Sequence, residues 1–164
     1  MSISLSGISL GAGGYWDEEV SKAGDTSRDT TVVRTADPDL VIPLSVGRQV
    51  VELDVLCSCA SATPDIRWAF AVADSLVITA ASFIFRMDSQ GTLPSVQTTA
   101  IVGDVTADVI LQIGAGLVNF VNIQLRCIVT VAGTLQWTWS QASSNATPTI
   151  VLANSNMKAH RLGA

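Results

Sequence analysis

Hydrophobic and polar positions alternate with a period of two over much of the chain, most cleanly in its last third. Across residues 117–131 the odd positions are Leu117, Asn119, Val121, Ile123, Leu125, Cys127, Val129 and Val131, while the even ones include Asn122, Gln124, Arg126 and Thr130. After a turn at Ala132-Gly133 the phase holds, with Leu135, Trp137 and Trp139 facing one way and Gln136, Thr138 and Ser140 the other. Successive side chains of a strand point to opposite faces, so this pattern predicts long strands with one buried face. A loop at 145–148 precedes one last strand, expected over 149–162.

The same period recurs upstream. Residues 49–60 put Val51, Leu53, Val55, Cys57 and Cys59 on one face, and residues 66–72 set Ile66, Trp68, Phe70 and Val72 against Arg67, Ala69 and Ala71. Shorter strands are expected at 30–35, 40–44, 97–102 and 108–113, with Pro43 marking an edge or a strand end. Residues 76–86 are apolar without a clear period. Asp37-Pro38-Asp39, Ser45-Val46-Gly47, Thr63-Pro64-Asp65 and Gly114-Ala115-Gly116 are turn signals, and 89–95 reads as a loop. The sum is about nine strands and no helix, with turns roughly every 8–14 residues, which favours an antiparallel sandwich or barrel. Long strands at both ends of a domain of roughly 130 residues suit an eight-stranded jelly roll.

Residues 1–29 break the pattern. They hold Gly11-Ala12-Gly13-Gly14, the aromatic pair Tyr15-Trp16 and a charged stretch from Asp17 to Asp29. The expectation is an extended N-terminal arm, 1–29, that orders against a neighbour with Tyr15 and Trp16 as anchors, ahead of an all-β jelly-roll sandwich over 30–164.

Composition changes the picture at the surface. Charged residues make up 14% of the 164-residue chain, against about 25% in an ordinary soluble protein. Hydrophobic residues are 48%. Such a chain is expected to cover much of its exterior with partner subunits. Val118, Phe120 and Ile128, which face outward in the long alternating run, are the candidate contacts of a homotrimer. The net charge is −5 and only Lys22 and Lys158 are lysines, so the cationic footprint that nucleic acid or an anionic membrane requires is missing. The apolar windows 76–85 and 109–131 are too short or too interrupted to span a bilayer. The first residues lack a basic region followed by an apolar run, so the expected setting is a reducing cytoplasm.

Candidate chemistry is sparse, and no catalytic residue, cofactor or metal is expected. His160 is the single histidine, too few for a nucleophilic triad or a cupin-type metal site. Gly11-Ala12-Gly13 follows no clear strand, and Gly114-Ala115-Gly116 leads into a strand, so neither offers a phosphate the start of a helix. Glu52 and Asp54 share the outer face of a strand, where solvated charge is the ordinary reading. Asp37, Asp39, Asp104 and Asp108 would hold calcium only if their loops converged. Cys57 and Cys59 point the same way about 6.5–7 Å apart, poorly placed to pair with each other. A bridge from either to Cys127 is left open, beside free buried thiols.

The run Gly133-Thr134-Leu135-Gln136-Trp137-Thr138-Trp139-Ser140-Gln141, the polar stretch 143–149, and the segments 151–155 and 158–162 resemble the C-terminal part of jelly-roll proteins in tailed-bacteriophage virions. Residues 34–44, 50–55 and 65–70 are similar to the same set. The chain departs from it at Asn156 and Met157, where an apolar or aromatic residue is common, and at Val50, where the strand starts without the usual aromatic. The resemblance implies a homotrimeric jelly roll on the capsid surface, assembled in the host cytoplasm, with the major capsid protein as partner. Such modules are head decoration (cement) proteins, or else tail, fibre or baseplate modules that bind a host surface. The loops 61–65, 88–95 and 145–148 carry no aromatic residue, which favours decoration. A third class, a glycan-cleaving or cupin-like enzyme, is opposed by the single histidine near the end of the chain.

Overall fold

The computed structural model describes residues 16–61, 63–89 and 105–163, without the side chains at 83, 85 and 87–89. Eleven strands and no helix occur among them: β1 (Glu18–Ser21), β2 (Thr26–Arg28), β3 (Thr35–Leu44), β4 (Gly47–Cys59), β5 (Ile66–Ala73), β6 (Val77–Ser89), β7 (Val109–Leu111), β8 (Val118–Val131), β9 (Gly133–Gln141), β10 (Thr149–Val151) and β11 (Asn156–Leu162). The expected strand at 97–102 lies outside the described residues.

These strands form two antiparallel sheets. In the larger, β6 pairs with β8 and β8 with β4, and β4 then pairs along its length with both β10 and β11. Strand β2 borders β10 and strand β1 borders β11. The smaller sheet runs β3-β9-β5-β7. The inward faces of the two sheets share one apolar core, as in a β-sandwich. Val51, Leu53 and Val55 of β4 and Ile123 and Leu125 of β8 meet Trp68 and Phe70 of β5 and Leu135, Trp137 and Trp139 of β9. The rings of Trp137 and Trp139 stack at 6.1 Å and those of Trp68 and Phe70 meet edge-on at 5.8 Å. Each such side chain contributes roughly 1.5–3 kcal/mol by leaving water.

The structure departs from the sequence pattern at several points. Residues 30–34 form no strand, and β3 begins at Thr35. The expected turn at Asp37-Pro38-Asp39 is a bulge inside β3. There the register against β9 jumps from Ala36 opposite Thr138 to Val41 opposite Gln136. Pro38 has no N–H for the ladder, and the bulge turns the Asp37 side chain inward. The expected strand 149–162 is broken in two by a turn with Asn154 at φ 67. Residues 77–86 of the apolar window belong to a 13-residue strand, β6, and Leu76 precedes it. The strand is reached from β5, in the other sheet, through Asp74 and Ser75, both at positive φ.

The boundary drawn at residue 29 also moves in meaning. Residues 18–21 and 26–28 are strands of the larger sheet, hydrogen-bonded to β11 and β10. They carry no period-two signal because they are short and mostly polar. Residues 1–15, including Tyr15, lie outside the described residues.

Candidate interaction surface

The outer face of the larger sheet is set by the strict alternation of β4 and β8. Cross-strand registers place Phe120 beside Leu56, Asn122 beside Asp54, Gln124 beside Glu52, Arg126 beside Val50 and Ile128 beside Arg48. Val118, Phe120 and Ile128 are 36%, 39% and 40% exposed. Ile84 of β6 and Leu162 of β11 add two more exposed apolar side chains.

Ile84 lies beside Gln124 in the middle of the face, and the others form two groups. Val118 and Phe120 sit together at one end of β8. Ile128 lies eight positions beyond Phe120, about 26 Å along the strand. There it joins Ala80, Leu162 and the Arg48 and Arg126 side chains around a shallow groove of about 250 Å³. A polar belt separates the two ends. In it the Asn122 amide donates to Glu52 Oε1 at 3.0 Å and to Asp54 Oδ1 at 2.7 Å. Both carboxylates thus lie on the outer face, as the alternation predicts.

A larger cleft of about 710 Å³ opens at one end of the sandwich, between Asp17, Glu18, Leu44, Gln49, Gly133 and Arg161. Asp17 and Glu18 form part of its rim. Trp16 is partly buried. Asp17 accepts the Arg161 backbone N–H at 2.6 Å and lies 3.3 Å from His160 Nδ1. His160, the histidine considered for catalysis, is therefore held by an aspartate on the sheet.

A largely buried polar cluster joins the β1–β2 connection to β3. Lys22 and Asp37 are 2% and 0% exposed. The Lys22 backbone is fixed first, its N–H donating to Ser155 O at 2.7 Å and its carbonyl accepting Asn154 N at 2.9 Å. Its Nζ then donates to Thr26 Oγ1 at 2.6 Å, Asp37 Oδ1 at 2.9 Å and Asp39 Oδ2 at 3.1 Å, which uses all three ammonium protons. Asp37 Oδ2 accepts the Trp139 indole N–H at 3.1 Å. The Arg28 guanidinium lies over the Trp139 ring and donates to the carbonyls of Thr35, Ala36 and Trp139. Burial pushes the Arg28 pKa below its ordinary value, and the charge on Asp37 opposes that shift. The sequence signal for this cluster was faint: one of two lysines in an acidic stretch, and an Asp-Pro-Asp that reads as a turn.

The remaining candidates do not converge. Asp37 and Asp39 are engaged by Lys22, Asp108 is 2.7 Å from Arg34 and 3.4 Å from Arg67, and Asp104 lies outside the described residues. Among the described residues no three His, Cys, Asp or Glu side chains gather as a metal site. All three cysteines are free and buried. The bridge left open above is ruled out by register: Cys57 sits opposite Asn119 and Cys127 opposite Gln49, at opposite ends of the β4–β8 pair. Burial pushes the Cys57 thiol up to about 12 and the Cys127 thiol up to about 11.

No protein-family model matches the chain, and no curated protein matches it.

Proposed function

We propose that the chain is a structural protein of a tailed-bacteriophage virion, a jelly roll that trimerises and decorates the capsid surface. The observation that carries this reading is the strand order. Take β1 with β2, and β10 with β11, as single interrupted strands, and set β6 aside as an addition at the edge. One sheet then runs first-eighth-third-sixth and the other second-seventh-fourth-fifth. We read that order as a jelly roll. The sequence resemblance of residues 28–162 to virion jelly rolls points the same way.

The outer face of the larger sheet suits contact between copies. It carries Val118, Phe120, Ile128, Ile84 and Leu162 on a chain poor in charge. At about 25 cal/mol per Å², burying such side chains stabilises an assembly substantially before association costs are subtracted. Repetition over many capsid sites adds avidity without new chemistry. Because β1 and β2 are committed to the larger sheet, residues 18–21 and 26–28 are not free to serve as part of the capsid-contacting arm expected over 1–29.

The test is the copy number in purified particles, by quantitative mass spectrometry against the major capsid protein. Hundreds of copies per particle support decoration. A handful would place the chain in a tail, fibre or baseplate and favour a host-surface role.

A further inference from the structure

We propose that Lys22 and Asp37 condense to an intramolecular amide, an isopeptide bond that ties the β1–β2 connection to β3, with Asp39 relaying the protons. The proposal stands on the buried cluster and does not depend on the virion reading.

Three observations carry it. The amine and the carboxyl group touch, at 2.9 Å, and neither side chain has exposed surface. The geometry is held from outside: the Lys22 backbone is pinned to the 154–155 turn, and Asp37 is turned inward by the bulge and held through Trp139. Reactants fixed in contact react as one molecule, at very high effective concentration. Third, a second carboxylate, Asp39, touches the same Nζ at 3.1 Å and is 36% exposed, so it links the amine to solvent.

The chemistry balances without any further reagent. The ammonium gives one proton to Asp37 Oδ1, which leaves an amine with a free lone pair against a carboxylic acid. The Nζ lone pair attacks Asp37 Cγ and the C–N bond forms. The carbonyl electron pair moves onto Oδ2, where the Trp139 indole N–H donates to the developing negative charge. Asp39 takes a second proton from the nitrogen and delivers it to Oδ1, which leaves as water while the carbonyl re-forms at Oδ2. One proton stays on the amide nitrogen. Two buried charges are replaced by a neutral amide and one released water.

Intact-mass spectrometry of the folded, full-length chain after denaturation tests this. The expected result is a mass lower by one water, with digestion giving a branched peptide that joins Lys22 to Asp37. Asp39→Asn keeps the strand signal in circular dichroism and forms the link about a hundredfold more slowly or not at all. Lys22→Met and Asp37→Ala carry the full mass. A folded wild-type chain whose mass shows no loss of water, and whose Lys22 acetylates once denatured, overturns the proposal. So does a loss of water that maps elsewhere. An Asp39→Asn chain that links as fast as wild type overturns the relay.

Discussion

The Arg28 guanidinium carbon lies 4.2 Å from the centroid of the Trp139 ring. This contact joins the second strand of the chain to the middle of the smaller sheet. It also covers the indole whose N–H holds Asp37. A cation over a desolvated indole contributes about 0.5–2 kcal/mol, and the three carbonyls that Arg28 serves add to it. Arg28→Ala is therefore expected to lower the unfolding free energy by about 2–3 kcal/mol. Arg28→Lys recovers only part, because an ammonium cannot reproduce the planar fork. Urea unfolding of the three proteins measures this.

Truncation tests how much of the expected 1–29 arm belongs to the fold. Deleting residues 1–15, which lie outside the described residues, serves as the reference. Deleting residues 1–28 removes β1, β2, Lys22 and Arg28, and it leaves Asp37 buried without its cation. Breaking a buried pair from one side costs about 3–5 kcal/mol, much of the stability of an ordinary domain. The longer deletion is expected to be insoluble or to lose cooperative unfolding in differential scanning calorimetry.

Gly133 begins β9 against the backbone of Leu76. A Cβ placed there would lie 2.5 Å from Leu76 N and 2.7 Å from Leu76 Cα. Neither is a flexible side-chain end, so the β5–β6 connection would have to move. Gly133→Ala is expected to cost about 1–3 kcal/mol, whereas Gly24→Ala, with nothing within 4 Å of the added carbon, should be close to neutral. Thermal unfolding of the two variants provides the comparison.

The buried thiols impose an alkaline limit. Their ordinary value is 9.0, and burial raises Cys127 to about 11 and Cys57 to about 12. Below pH 9 both folded and unfolded chains keep these protons, so the thiols make stability independent of pH. Above it the unfolded chain releases protons that the folded chain holds. Stability then falls as pH rises towards the folded values, by up to about 1.4 kcal/mol per pH unit for each thiol. Urea midpoints from pH 7 to 11 should show this slope, and Cys57→Ala should flatten it. Thiol reagents at pH 8 should label the native chain slowly and all three cysteines once it is unfolded.

Strands β4 and β8 were legible because each has one dry face and one wetter face. Val121, Ile123 and Leu125 mark β8 as plainly in the sequence as in the core, and Trp137 and Trp139 are buried where the phase of β9 puts them. Strands β1 and β2 were not legible, since Glu18, Glu19, Thr26 and Ser27 carry no apolar repeat and owe their state to β10 and β11, more than a hundred residues away. The buried cluster was invisible for the same reason: Trp139 reaches Asp37 across 102 positions. Val118, Phe120 and Ile128 were read correctly as outward-facing, yet strand length alone decides that the first two and the third lie at opposite ends of a face.

Sedimentation equilibrium of the purified chain, alone and with Phe120→Asp and Ile128→Asp, tests the assembly on which the functional reading rests. The account predicts a wild-type species of three times the 17.2 kDa chain mass, and a monomer with unchanged circular dichroism when either end of the outer face is charged. A wild-type chain that sediments as a monomer at micromolar concentration, or a trimer indifferent to both substitutions, would contradict it.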